Sequence, residues 1–202
     1  MPRAGLTPTI VVEEAAKLAD EVGLERLTLA AVAQKLGVAL PSLYKHIRGL
    51  GALQQSLAVR ALTEITAALS AAAIGRSGRQ ALVAMATAYR SYAHAHPGRY
   101  AATLRAADPN DPDHVAAGEA AVGVIYAVLA GYGLTGPAAI DATRCLRSAL
   151  HGFVALEAAG GFGLPQDVDR SYDRLVGALD NAFTTWPSDP PPLVDQGRTA
   201  VL

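Results

Sequence analysis

Thr28-Leu-Ala-Ala-Val-Ala-Gln-Lys-Leu-Gly-Val-Ala-Leu-Pro-Ser-Leu-Tyr-Lys-His-Ile47 is the stretch from which the rest of this 202-residue chain can be read. Its first half places Leu29, Val32, Ala33 and Leu36 at i, i+3, i+4 and i+7, one apolar face at the helical period. Thr28 precedes that face as an N-cap, its hydroxyl able to accept a backbone N–H of the first turn. The second half repeats the spacing with Leu40, Leu43, Tyr44 and Ile47. Between them Gly37 can take the left-handed conformation without a Cβ penalty, so one helix can stop and another begin almost at once. Pro41 falls in a first helical turn, where its missing N–H has no intrahelical partner to lose. The pattern is a helix-turn-helix. With Leu40, Leu43 and Ile47 turned inward, the outer face of the second helix carries Pro41, Ser42, Lys45, His46 and, just beyond, Arg48. These groups are small or hydrogen-bonding, fit to enter a groove.

The surrounding charge is one-sided. No Asp or Glu occurs from Arg26 to Thr63, whereas Arg26, Lys35, Lys45, Arg48 and Arg60 all lie in that window. The whole chain carries a formal charge of −1, so the window forms a positive patch on a nearly neutral protein, as a phosphate-binding surface requires. Periodicity alone leaves another reading open, because two short amphipathic helices joined at a glycine also occur in helical proteins that never meet nucleic acid.

Leu27-Thr28, Leu36-Gly37-Val38 and Pro41-Ser42-Leu43-Tyr44-Lys45-His46, at these separations, resemble the DNA-binding segment of the TetR (tetracycline repressor) family of bacterial transcription regulators. The similarity extends over residues 7 to 57. Two positions depart from it. The family commonly has Phe where Ile47 stands, which keeps the packing role, and Lys where Leu50 stands, so that Arg48 or backbone N–H groups would have to replace a phosphate contact. Ser42 and Lys45 are the residues best placed for base edges. The resemblance implies phosphate contacts for Tyr44 and His46, and Thr28 can cap its helix and touch a phosphate as well. Tyr44 reads equally well as core packing. Further along, Leu150-His151-Gly152-Phe153, Glu157 and Gly160-Gly161-Phe162-Gly163 resemble C-terminal domains of a subgroup of the same family. The resemblance implies a homodimer whose last two long helices form a four-helix interface. It also implies a repressor released from a palindromic DNA operator by a small-molecule effector.

The expected fold class is all-α, with about nine helices: Ala is abundant, Gly and Pro punctuate, and β-branched runs are scarce. Only 17% of residues are charged and 51% are hydrophobic, a balance that suggests helices burying more than one face, around a cavity or against a second subunit. The lone Cys145 excludes an internal disulfide and a cysteine-based zinc site, which fits a reducing cytoplasm. Met1 to Leu6 is too short and too weakly apolar for a signal peptide, and Arg, Asp or Glu interrupt every apolar run before the roughly 18 residues of a membrane helix. A soluble cytoplasmic protein is expected.

A first helix opens at Thr7-Pro8 and carries Val11, Ala15, Leu18 and Val22 to Gly23, bracing the helix-turn-helix in a three-helix DNA-binding domain over residues 1–49. A linking helix over residues 50–75 holds Leu53, Leu57, Ile65 and Leu69 at helical spacing. It begins a helical ligand-binding and dimerisation domain expected over residues 50–186. Helices follow over residues 79–96 and 99–107, then a loop Asp108-Pro-Asn-Asp-Pro-Asp113 with two prolines and three acids. The next helix holds Val115, Val122, Ile125, Tyr126 and Leu129, and another starts at Pro137 with Ile140, Leu146, Leu150, Phe153 and Val154. The last holds Val168, Tyr172, Leu175, Val176, Leu179, Phe183 and Trp186, capped by Asp167. Leu146, Leu150, Phe153, Tyr172, Leu175, Leu179 and Phe183 are the expected dimer interface, with Ala149, Gly152 and Ala155 permitting close approach. Residues 187–202 lack periodicity and are expected to form a disordered tail.

Met85, Tyr89, Tyr92, Leu104, Tyr126 and His151 are the expected ligand-binding set, although aromatic residues at helical spacing serve equally as ordinary core. Gly131-Tyr-Gly133-Leu-Thr-Gly136 matches a dinucleotide fingerprint by letter, but a helical pattern and not a strand precedes it, so it reads as a turn. His94 and His96, two apart on a helix, point to opposite sides and cannot chelate together. Nothing calls for a cofactor or metal. There is no nucleophile elbow or phosphate loop, and His151 with Glu157 is the one pair an enzyme could use. The alternatives to a sequence-specific regulator are a non-specific architectural helical DNA-binding protein and a small helical enzyme using the C-terminal cavity.

Overall fold

The computed structural model describes residues 5–187. Nine α-helices and one 3₁₀ turn, Leu24–Arg26, make up the secondary structure of these residues, with no strand among them. The helices are α1 Pro8–Val22, α2 Leu29–Leu36, α3 Leu40–Leu43, α4 Leu50–Ala73, α5 Gly78–Ala95, α6 Pro97–Ala102, α7 Pro112–Ala130, α8 Gly136–Ala158 and α9 Val168–Thr184. The all-α class and the helix count agree with the sequence reading. The segment expected as a tail, 187–202, lies outside the described residues apart from Pro187.

Local chemistry accounts for the helix ends. Thr7 Oγ1 accepts the Ile10 N–H and Pro8 occupies the first turn of α1; Asp167 Oδ1 accepts the Arg170 N–H at the start of α9. Three details differ from expectation. The helix after Gly37 is a single turn, α3, and residues 44–46 continue as a tighter turn in which the His46 N–H reaches the Leu43 carbonyl at 2.8 Å. Leu40, expected inside, is 37% exposed, because it stands at the first position of that turn, beyond the core that Leu43 and Ile47 enter. The helix expected over 99–107 is α6, which starts at Pro97 and stops at Ala102.

Two apolar cores share one helix. Val11, Leu18, Leu27, Val32, Leu43 and Ile47 pack with Leu53, Leu57, Ala58 and Ala61 of α4 in the first. Ile65 and Leu69 of the same helix join Leu82, Met85, Leu129, Leu146, Leu150 and Phe183 in the second. Each fully buried leucine contributes roughly 1.5–3 kcal/mol, so α4 is anchored in both cores. By length and mean hydropathy α4 and α7 could each cross a membrane, a property that the interrupting charges in the sequence obscure. In this fold α4 is the shared core helix and α7 packs along it.

The short helix α6 docks on α1. Gly98 sits directly on the Ala19 carbonyl, and Arg99 donates from its backbone N–H and its Nε to the two oxygens of Asp20, at 2.8 and 2.7 Å. A guanidinium nitrogen of Arg99 also reaches Glu64 of α4 at 2.9 Å, and Arg60 Nε binds the other Glu64 oxygen at 2.7 Å. Burial opposes ionisation of Glu64, but the hydrogen bond and charge of Arg99, with help from Arg60, outweigh it and hold the carboxyl below its ordinary 4.5. The ion pairs are therefore complete above that value and are lost as pH falls through the lower folded-state value. Urea midpoints are expected to drop between neutral pH and about pH 3, and to drop less in Glu64→Gln. An equal drop in both proteins would remove Glu64 from the account.

Candidate nucleic-acid interface and internal cavity

Gly37 has φ +68° and ψ +32°, the left-handed conformation that ends α2 and turns the chain into α3. Thr28 Oγ1 accepts the Ala31 N–H at 3.2 Å to start α2. A Gly37→Ala substitution is expected to cost about 1 kcal/mol of stability and to weaken any ligand of the α3 surface, measured by chemical unfolding and by DNA titration.

The surface these turns create carries Thr28, Pro41, Tyr44, Lys45 and Arg48 exposed, with Ser42 and His46 half-buried. Tyr44 is 57% exposed, so of its two readings core packing is excluded. The positive patch is narrower than the sequence implies. Lys35 is paired with Glu21 at 2.5 Å, Arg60 with Glu64, and Arg26 Nε donates to the Val22 carbonyl. Lys45 and Arg48 have no ion pair among the described residues. The N-cap of α4 is Gly49, at φ +120°, with no side chain to accept the first-turn N–H groups beside Arg48. Arg48 and those N–H groups lie beside Leu50 at the start of α4.

The second core borders a partly open cavity of about 790 Å³, walled by α4, α5, α7, α8 and the segment 103–107. Of the expected ligand residues, Met85, Tyr89, Leu104 and Tyr126 line it. Tyr92 does not: its hydroxyl turns to the Ala61 carbonyl and to Glu64, toward α4. His151 stands behind the wall, its Nδ1 2.7 Å from the Tyr100 hydroxyl, which lies 2.8 Å from that of Tyr89. Burial raises both tyrosines above their ordinary value of 10.0, so the chain of hydroxyls stays protonated. Wall residues that the sequence reading missed include His114, Thr143 and Arg147. A signal for His114 existed: with Gly118, Ala121, Val122 and Ile125 it keeps helical spacing along one face of α7.

Asp111 ties this cavity to α4. Its Oδ1 accepts the N–H groups of Asp113 and His114 at 3.0 and 3.1 Å, capping α7. Its Oδ2 receives Gln55 Nε2 at 2.5 Å from the half of α4 that packs in the first core.

The expected dimer set needs correction. Leu146, Leu150, Tyr172 and Phe183 are at most 3% exposed within the single chain and pack α8 and α9 inward, so they have no surface to offer a partner. The Tyr172 hydroxyl donates to the Ala86 carbonyl of α5 at 2.7 Å. Phe153, Leu175 and Leu179 are half-buried; the exposed positions include the small residues Ser148 and Ala155 of α8 and Ala178 and Ala182 of α9, with Gly152 half-buried. His151 and Glu157 are not brought together either. Glu157 is bound by Arg90 Nε at 2.9 Å and by His94 Nε2 at 2.8 Å, and chiefly the Arg90 hydrogen bond holds its carboxyl below the usual range. His96 lies near Asp20, on the other side from His94. The glycines at 131, 133 and 136 form the α7–α8 turn, with a helix before them.

Residues 82–179 match the model of the tetracyclin repressor-like C-terminal domain. An uncharacterized HTH-type transcriptional regulator of Mycobacterium tuberculosis is 42% identical over 78% of this chain and 72% of its own length. A second, from Bacillus subtilis, is 37% identical over 87% of this chain and 91% of its own. A solved Rhodococcus structure of unknown function superposes with a TM-score of 0.72 at 26% identity, covering 91% of this chain and 96% of that one. Capped and turned like a DNA-reading segment at one end and matched to the family's C-terminal domain at the other, the chain belongs to the TetR family of helix-turn-helix, DNA-binding transcriptional regulators.

Proposed function

We propose that the chain acts as a homodimeric repressor that a small molecule, bound in the C-terminal cavity, releases from a palindromic operator. The observation that carries this reading is the placement of α4: Leu53 and Leu57 are core for the DNA-reading segment, while Leu62, Ile65 and Leu69, on the turns that follow, wall the cavity. A helix is stiff over that length, so a shift imposed at the cavity reaches the recognition segment. Asp111 and Gln55 supply a second connection from the cavity wall to the same helix. On this reading residues 1–49 read DNA, and residues 50–186 bind the effector and dimerise, with 50–75 as the link.

Each subunit would place its α3 segment in one of two successive major grooves, the half-site spacing being set by the dimer. Ser42 and Lys45 are assigned to base edges, and Thr28, Tyr44, His46 and Arg48 to phosphates, with Pro41 at the groove-facing start of α3. Met85, Tyr89, Leu104 and Tyr126 are assigned to the effector. The partner subunit would cover the small-residue faces of α8 and α9, around Ser148, Gly152, Ala155, Ala178 and Ala182, with Phe153, Leu175 and Leu179 at their margins. An Ala178→Arg substitution puts a charge into that face and is expected to shift sedimentation from dimer to monomer. The work of such a protein is on genomic DNA, which assigns it to the cytoplasm.

The test is selection of sheared genomic DNA by the purified protein at near-physiological salt, followed by sequencing. Enrichment of a few fragments that share an inverted repeat supports the proposal. Uniform recovery is the behaviour of an architectural protein and would reject it.

A further inference from the structure

The cavity wall is mainly apolar, with Ile65, Leu69, Met85, Val122, Ile125 and Leu150 among its residues, and walls of this kind select an apolar body. Two buried polar side chains in it lack a hydrogen-bond partner among the described residues. His114 is 2% exposed, and neither its Nδ1 nor its Nε2 meets a hydrogen-bond partner in the protein; Thr143 is 9% exposed and its Oγ1 is equally unpartnered. Buried polar groups are ordinarily hydrogen-bonded because desolvating them without a partner is costly, so wall positions that served packing alone would favour an aliphatic side chain. An imidazole presents a donor and an acceptor, and so does a threonine hydroxyl. Charge in the wall is limited to Arg105, Glu119 and Arg147, all exposed, so no buried counter-ion awaits a charged group. The volume, about 790 Å³, lies within the roughly 300–1,000 Å³ of pockets that hold drug-sized molecules.

We propose that the cavity binds a largely apolar, uncharged small molecule whose one compact hydrogen-bonding group, a hydroxyl, carbonyl or amide, is taken up by His114. The proposal deepens the regulator reading and rests on it, since it makes this molecule the effector. His114 is well placed for that role. Its backbone N–H is held by Asp111, whose other oxygen holds Gln55 of α4, so a molecule that turns the imidazole acts on the turn that connects α7 to the recognition half of the chain.

Nile red, a neutral apolar dye, serves as the probe, displaced in turn by biphenyl, 4-phenylphenol and biphenyl-4-carboxamide, which share one body and differ in the polar group. Nile red is expected to bind at a single site per chain. The phenol and the amide are expected to displace it at about tenfold lower concentration than biphenyl, the effect of one hydrogen bond to a buried side chain that otherwise lacks a partner. In His114→Leu biphenyl should displace as before while the advantage of the other two disappears. Gly118 lines the cavity with open space at its Cβ, so Gly118→Phe should fill the site and abolish dye binding with helicity and thermal midpoint retained. Val122→Trp provides a second filled variant should the first not fold. Equal displacement by all three compounds, an undiminished polar advantage in His114→Leu, or dye binding that survives in a folded filled variant would overturn the proposal. DNA selection on the same preparation is read separately. Its failure beside intact head-group discrimination would reject the regulator reading and leave the cavity assignment standing.

Discussion

Lys45→Glu combined with Arg48→Glu is expected to reduce DNA retention by roughly a hundredfold or more at near-physiological salt, with helicity and unfolding midpoint unchanged. The size follows from the charge census. Of the five cations in the acid-free window, Lys35 and Arg60 are paired with Glu21 and Glu64, and Arg26 is turned back onto the Val22 carbonyl of the preceding helix, away from α3 in the chain. On the proposed reading Lys45 and Arg48 present positive charge, unpaired among the described residues, to the duplex, and in a dimer their reversal places four negative charges against it. The single changes separate the roles. Arg48→Ala should weaken every sequence alike and lower the slope of log affinity against log salt by about one unit per contact. Lys45→Ala should instead alter which sequences are preferred. Full retention by the double variant would move the DNA-reading surface away from α3.

Gly98→Ala is the substitution with the largest expected effect on stability. A Cβ there would lie 2.0 Å from the Ala19 carbonyl oxygen, 2.1 Å from its carbon and 2.6 Å from the Asp20 nitrogen. All three are backbone atoms that no rotamer change can move, so α6 and α1 must separate. The separation also pulls Arg99 off Asp20, which accepts both of its hydrogen bonds across the same contact. A cost of about 3 kcal/mol is expected, equivalent to a fall of roughly 6–12 °C in the thermal midpoint of a chain this size. Gly123→Ala is the control. It lies in the middle of α7 with no neighbour within 4 Å of its Cβ, and is expected to be neutral or slightly stabilising. A Gly98→Ala protein as stable as the control would mean that α6 and α1 are not in this contact.

The features legible in the sequence are the local ones. Thr28, Gly37, Pro41 and Asp167 act on backbone groups within four residues of themselves, so their spacing alone specifies where helices begin and end. Which neighbour a buried face meets is a tertiary matter. Tyr172, Val176, Leu179 and Phe183 make the strongest apolar stripe in the chain. A stripe states that a face is covered, not by what, and here its most buried members face the chain's own α5 and α8. The proposed dimer face carries small residues, which periodicity does not flag. Lys35 reads as free in the sequence because its partner, Glu21, lies on the preceding helix outside the acid-free window. Tyr89 and Tyr92 stand three residues apart on α5, yet one meets the cavity and the other α4, a division set by where the neighbouring helices lie. His114 is masked by the Asp and Pro residues around it, which read as loop, although its spacing with Gly118, Val122 and Ile125 puts it on the inner face of α7.

Coupling between the cavity and the DNA-reading segment through α4 is the claim on which the rest depends. Its most direct test uses the fragment most enriched by genomic selection, titrated with protein whose cavity is empty and with protein saturated by the tightest of the Nile red displacers. The two dissociation constants are expected to differ by a factor of roughly 5 to 150, the range of ordinary allosteric coupling. Equal constants with the cavity demonstrably full would contradict the coupling, and would leave a DNA-binding protein whose cavity serves something else.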